Sequence, residues 1–151
     1  MTFQELKPKV TEITLNTTLL RDEKLLTICK LLSDSISYYN WVGFYFMNDE
    51  KQMLELGAFA GEKTDHIVIP YGTGICGQVA VSGKMLLVKD VSKEDNYLAC
   101  SLATKAEIVV PIYKGEVLVG QIDIDSHKRN PFTKHDEDFL KQICDWIANV
   151  L

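Results

Sequence analysis

Long hydrophobic runs are missing from this chain. No apolar stretch approaches the ~18 residues that cross a bilayer, and the first ten residues, Met1 to Val10, have no apolar signal-peptide core. A membrane partner is therefore not expected, and the expected compartment is the cytoplasm. Concentrated positive charge is missing as well. The 16 Lys and Arg are outnumbered by 21 Asp and Glu, the net charge is −5, and no segment gathers basic residues on one face, so nucleic acid is not an expected partner. Four cysteines are present, Cys29, Cys76, Cys100 and Cys144, but none belongs to a C-x-x-C pair. No two histidines share a metal-ligand spacing and the acids do not match a calcium loop, so neither a metal nor another cofactor is expected. Repeats, low-complexity tracts and linkers that would split the chain are also lacking.

What is present is ordinary for a globular protein: 151 residues, 46% apolar and 25% charged. A chain of this length buries roughly 70% of its unfolded surface, so one domain over residues 1–151 needs no disulfide or metal to hold it together. Periodicity predicts a helix over about Phe3 to Leu15 and a second with Leu25, Ile28, Cys29, Leu32 and Ile36 on one stripe. Strand patterns follow at Trp41 to Met47, Met53 to Phe59 and His66 to Ile69. The glycine-rich turn Tyr71-Gly72-Thr73-Gly74-Ile75-Cys76-Gly77 opens a short helix through Val81, its glycines permitting close backbone approach. A strand at Met85 to Val88 leads into a polar connection, Lys89 to Lys105, long enough to suggest function or mobility. A hairpin of Glu107 to Tyr113 and Val117 to Asp125 and a helix opened by Thr133-x-x-Asp136 complete the chain. The expected fold class is α+β, a central antiparallel sheet of about six strands with N- and C-terminal helices packed on it.

The least expected feature is Gly120-Gln121-Ile122-Asp123-Ile124-Asp125. Alternation along a strand puts the two isoleucines on one face and both carboxylates on the other. Like charges on one face repel, so either the face is solvated or a buried proton or a cationic ligand, such as an amino-acid ammonium, offsets them. Glu107 opens the neighbouring arm and can join them. Cys29 and Cys144 lie on apolar helical stripes, where a free cysteine acts as a small hydrophobe. Cys76 and Cys100 fall in turns, where a thiol can be exposed and its pKa lowered, although a packed cysteine at the start of a short helix is an even alternative for Cys76. Trp41 and Tyr45, four apart on one strand, either wall an apolar pocket or belong to the core. His127 and His135 read as solvated.

These segments resemble the GAF-domain enzymes that reduce free methionine-R-sulfoxide. Asn40-Trp41-Val42-Gly43-Phe44-Tyr45, Ile69 to Gly77, Ala99-Cys100, Glu107 to Ile112 and Gly120 to Ser126 fall in that family's order, over nearly the whole chain. The resemblance implies a GAF (PAS-like) fold with Cys100 as nucleophile and Cys76 resolving its sulfenic acid as a disulfide. It also implies a substrate pocket of Trp41, Tyr45, Glu107, Asp123 and Asp125, with Glu107 or Asp125 as proton donor. Thioredoxin or a similar dithiol would be the reductant, and a homodimer the expected assembly. The chain departs from the family at two positions. His66 stands ten residues before Cys76 where a third cysteine is usual, and Ser101 follows Cys100 where aspartate is usual. His66 is thus either an auxiliary that lowers a thiol pKa or a neutral spacer. A GAF module that binds a small molecule as a sensor, without turnover, is the alternative function.

Overall fold

The computed structural model describes residues 1–98 and 102–151; Ala99, Cys100 and Ser101 lie outside the described residues. Thr2 starts α1 (Phe3–Leu15): its hydroxyl accepts the Glu5 N–H, and the Glu5 carboxylate accepts the Thr2 N–H in return. The helix has the bounds its periodicity predicts. In α2 (Arg21–Ser35) Leu25, Ile28, Cys29 and Leu32 are buried along one stripe.

Six strands follow: β1 (Trp41–Asn48), β2 (Met53–Ala60), β3 (Val68–Pro70), β4 (Leu86–Val88), β5 (Ala106–Lys114) and β6 (Val117–Ser126). Among the described residues they form one sheet in the order β3-β2-β1-β6-β5-β4, with every neighbouring pair antiparallel. The expected α+β class and strand count hold. One face of the sheet, with Val42, Phe44, Ile108, Val110, Ile122 and Ile124, packs against α2 and α4 (Lys134–Ala148), and α1 lies against those two helices. The other, with Trp41, Tyr45 and Val109, packs against the short helix α3 (Gly74–Ser82) through Ile75, Cys76 and Val79. No described helix is long and apolar enough to cross a membrane.

Two local readings are corrected. The strand expected to begin at His66 covers Val68–Pro70 instead. The His66 N–H is turned onto the Thr64 hydroxyl and its carbonyl accepts the Tyr45 hydroxyl, which takes His66 out of the sheet ladder. The connection after β4 contains one turn of 3₁₀ helix, Val91–Lys93, capped by the Asp90 carboxylate on the Ser92 N–H. Cys29 and Cys144 are core residues, as their stripes imply. Their thiols approach the Ala58 and Val110 carbonyls at 3.6 and 3.8 Å, and burial pushes both pKa values up.

The start of α4 is fixed by a fully buried carboxylate. Asp136 Oδ2 accepts the Thr133 N–H at 2.8 Å and the Thr133 hydroxyl at 3.0 Å, while Oδ1 accepts the hydroxyls of Tyr38 and Tyr39, each at 2.8 Å. The capping pair predicted from Thr133-x-x-Asp136 therefore also ties the last helix to the chain entering β1. Asp136→Ala leaves two tyrosine hydroxyls and a helix N-terminus without their acceptor, and is expected to cost about 3 kcal/mol. Urea denaturation should show a lower midpoint with an unchanged slope.

Candidate functional site

Sheet register builds the site. Asp125 on β6 lies opposite Trp41 of β1 on one side and Glu107 of β5 on the other, so the three form a row across adjacent strands. Asp123, two residues earlier on the same face, lies opposite Gly43 and Val109. A Cβ at Gly43 would run into the Trp41 indole, so glycine is what lets that ring lie over position 43 beside Asp123. The predicted alternation holds: Ile122 and Ile124 enter the helix-covered core, and the carboxylates face the other way.

That face is not solvated. Glu107, Asp123 and Asp125 are only 3%, 0% and 1% exposed, with α3 and Leu98 lying against this face. The glycine turn makes the cover possible. A side chain at Gly77 would stand 2.8 Å from the Pro70 carbonyl oxygen and 3.0 Å from the Gly72 backbone, while the Gly77 carbonyl accepts the Gly72 N–H at 2.8 Å. α3 thereby starts tight against β3 and delivers Cys76, in its first turn, onto the acids.

Burial and mutual repulsion govern the protons here. Glu107 is held well above the ordinary carboxyl range, first by burial and then by the charges of Asp123 and Asp125. Asp123 is also raised by burial, with Glu107 and Cys76 opposing the rise by leaning toward its charged form. Its two oxygens are sealed from water without a hydrogen bond of good geometry among the described residues. The Cys76 thiol donates to Glu107 Oε2 at 3.8 Å. Its pKa is pushed well up, by burial first and then by Asp123, Glu107 and Asp125. Of the two readings the sequence left open for Cys76, the packed one holds: the residue is 4% exposed, lies in the first turn of α3, and keeps its proton. Cys100 falls outside the described residues.

Trp41 and Tyr45 do both things the sequence left open, belonging to the apolar cluster while walling the acids. The indole stacks on Tyr45 (centroids 6.4 Å apart) and on Phe59 (5.6 Å). Their polar ends are turned away, Trp41 Nε1 to the Glu62 carbonyl at 2.9 Å and the Tyr45 hydroxyl to the His66 carbonyl at 2.8 Å. His66 is thus positioned by its backbone, on the far side of Tyr45. Between Ile69, Ile75, Cys76, Leu98, Glu107 and Asp123 lies a cavity of about 10 Å³, room for one water. A larger open cleft of about 350 Å³, between Met1–Phe3 and Ser35–Tyr38, contains none of these acids and no cysteine.

The donor atoms of Cys76, Glu107 and Asp123 lie within 4.8 Å of one another, close enough to share a metal ion. Metal ligation requires deprotonated thiol and carboxylate, whereas these surroundings keep protons on Cys76 and Glu107. A guest that brings an ammonium group or takes up a proton suits the site better. Sequence reasoning missed Gln121, whose Nε2 donates to the Cys76 carbonyl at 3.2 Å, Leu98, which lines the cavity from the connection, and Asn96, whose Oδ1 accepts the Gly74 N–H at the start of α3. An Asp-Asn pair in a polar connection was the one available signal for Asn96.

The GAF domain family matches residues 21–151. The free methionine-R-sulfoxide reductase of Escherichia coli is 36% identical over 121 residues, covering 80% of this chain and 72% of that enzyme. This chain belongs to the GAF-domain free methionine-R-sulfoxide reductase family. The type II free methionine-R-sulfoxide reductase of Thermoplasma acidophilum superposes with a TM-score of 0.82 at 35% identity, over 93% of this chain and 94% of that one. The Neisseria meningitidis reductase, solved in complex with its substrate, gives 0.91 at 27% identity, over 98% and 87%. Helix α1 lies outside the matched GAF region, and in this family member it completes the core on the face away from the acids.

The raised pKa of Glu107 makes stability depend on pH in a definite direction. In the unfolded chain Glu107 ionises near pH 4.5, while in the folded protein it keeps its proton well beyond that. Between those limits the folded state binds the extra proton, so stability falls as pH rises. Glu107→Gln keeps the shape without the titration. Melting temperatures taken from pH 5 to 8 should decline less steeply for the variant than for the wild type.

Proposed function

We propose that this chain, as a single GAF domain, reduces free L-methionine-(R)-S-oxide to methionine. The observation that carries the reading is the row of buried acids beside Trp41, with Cys76 donating to Glu107. A free amino acid brings an ammonium that a peptide-bound residue lacks, and Asp123, buried with no hydrogen bond of good geometry among the described residues, is the partner for it. The methyl and methylene groups of the substrate lie against Trp41 and Tyr45. The 10 Å³ cavity holds no more than a water, so the substrate enters as a wall retracts; Thr73 and Leu98 are the lining residues that belong to no helix or strand.

The Cys100 thiolate attacks the sulfoxide sulfur, and Glu107 gives its proton to the oxygen. The oxygen passes to the Cys100 sulfur; methionine leaves reduced by two electrons, and Cys100 becomes a sulfenic acid. Glu107 is now a carboxylate 3.8 Å from the Cys76 sulfur and accepts its proton. The Cys76 thiolate attacks the Cys100 sulfur and forms the disulfide, the departing hydroxide taking the proton back from Glu107 and leaving as water, and a dithiol such as thioredoxin then reduces the disulfide. One carboxyl thus serves first as acid and then as base, which makes the raised resting pKa of Cys76 compatible with its role. Asp125, between Trp41 and Glu107, adds the repulsion that keeps Glu107 protonated until substrate arrives. His66, with its backbone tied to Tyr45, replaces the third family cysteine as a spacer. The cytoplasm and a homodimeric assembly belong to the same proposal.

Thioredoxin-coupled NADPH consumption with free methionine-R-sulfoxide tests the reading. Cys100→Ser should abolish methionine formation. Cys76→Ser should release one methionine per chain and then stall as the sulfenic acid. Asp123→Asn should lower kcat/KM about a hundredfold while the melting temperature holds or rises, because the change also relieves repulsion. Substrate binding without turnover by the wild type would assign the chain to ligand sensing instead.

A further inference from the structure

Alternation along β6 puts Gln121 on the same face as Asp123 and Asp125, and its side chain is fully buried against α3. Its amide is only half used. Nε2 donates to the Cys76 carbonyl at 3.2 Å, while Oε1, sealed from water, accepts no hydrogen bond among the described residues. Turning the amide over does not mend this, because a carbonyl only accepts and the nitrogen has to face Cys76. A buried amide with an idle oxygen costs stability that a leucine of similar size would not. Stability therefore does not account for a glutamine at this position.

What the amide does hold is the backbone of the residue whose thiol meets the acids. Gln121 and Asp123 stand about 7 Å apart on one strand, and that strand is bonded to β1 on one side and to β5, which carries Glu107, on the other. α3 is outside this ladder. It rests on the sheet through Ile75 and Val79, apolar contacts that set its depth without direction, and it is tied at its two ends, where Asn96 Oδ1 accepts the Gly74 N–H and the Tyr113 hydroxyl donates to the Gly83 carbonyl at 2.6 Å. The Gln121 bond acts between those ends, at Cys76 itself. We propose that Gln121 is a positioning residue for the Cys76 thiol: it fastens the Cys76 carbonyl to the strand that carries the aspartates and so holds the sulfur at its 3.8 Å contact with Glu107 Oε2. In turnover this sets the distance over which Cys76 hands its proton to Glu107. That consequence rests on the reductase reading; the placement of the thiol does not.

The test uses the full chain and Gln121→Leu, which keeps the bulk and removes the amide. The S–H stretching band of Cys76, assigned in infrared spectra by difference from Cys76→Ser, should move to higher frequency as the thiol leaves its acceptor. Under native conditions iodoacetamide should modify Cys76 roughly fivefold faster than in the wild type, the effect of one hydrogen bond, as read by peptide mass spectrometry. Cys29 and Cys144, buried in the opposite core, serve as internal references and should keep their wild-type rates. The melting temperature should hold or rise, since the idle oxygen leaves with the amide. kcat/KM for free methionine-R-sulfoxide, which reports the steps up to methionine release, should be unchanged. Gln121→Met, unbranched and without a donor, gives the same readouts if the leucine variant does not fold. Equal acceleration at all three thiols reads a loosened fold and overturns the proposal, as does an unmoved band with an unchanged Cys76 rate in the folded variant. A fall in kcat/KM overturns it too, by placing Gln121 in substrate binding. A wild type that makes no methionine overturns the reductase reading instead, and the band and the alkylation rates then decide the placement of the thiol.

Discussion

Three carboxyl groups are sealed from water on one face of a sheet, and the rest of the structure answers to that constraint. Desolvating a carboxylate is costly, and placing three together multiplies the cost, so protons remain on groups that would lose them in water. The neighbouring thiol is drawn into the same regime. The surrounding architecture exists in relation to this cluster: Gly43 admits the indole beside it, Gly77 brings α3 down over it, and Trp41 and Tyr45 turn their polar ends outward so that only ring faces meet it. The site is poised by unfavourable electrostatics, and a guest carrying positive charge relieves them.

Stability is invested on the opposite side of the sheet. The isoleucines of β5 and β6 share one core there with α1, α2 and α4, and Asp136, with four hydrogen bonds to its carboxylate, pins the last helix to the segment entering β1. The contrast between the two kinds of buried aspartate is physical. Asp136 has a donor for each oxygen, whereas Asp123 has none of good geometry among the described residues. The first is what a fold uses to hold itself together, and the second is what a fold keeps for a ligand.

Much of this was legible in the sequence because it is written at short range. The bounds of α1 follow from apolar spacing and its capping box, and the facing of Asp123 and Asp125 follows from strand alternation. The status of that face was not legible, since whether two aspartates meet water depends on a helix more than forty residues earlier folding over them. The same distance hid the environment of Cys76. Read locally, a cysteine after a glycine turn looks exposed and acidified; only the packing of three acids against it reverses the direction of its pKa. Asn96 was the least visible of all, because its role is a cap supplied to a helix from a remote loop, and capping rules look for the partner within a few residues. His66 was misplaced for a related reason: a hydroxyl two residues before it and a tyrosine on β1 compete for its backbone groups with the sheet.

Strand β6 carries two incompatible populations on its two sides, isoleucines toward the helices and aspartates toward α3. A pairing slip of one residue would exchange them, sending two carboxyl groups into an apolar core that has no partner for them and setting isoleucines beneath Cys76. The residues that make the site difficult to build thus also forbid the neighbouring way of building it, and chemistry at Asp123 and Asp125 and accurate assembly of the sheet are selected by the same two side chains.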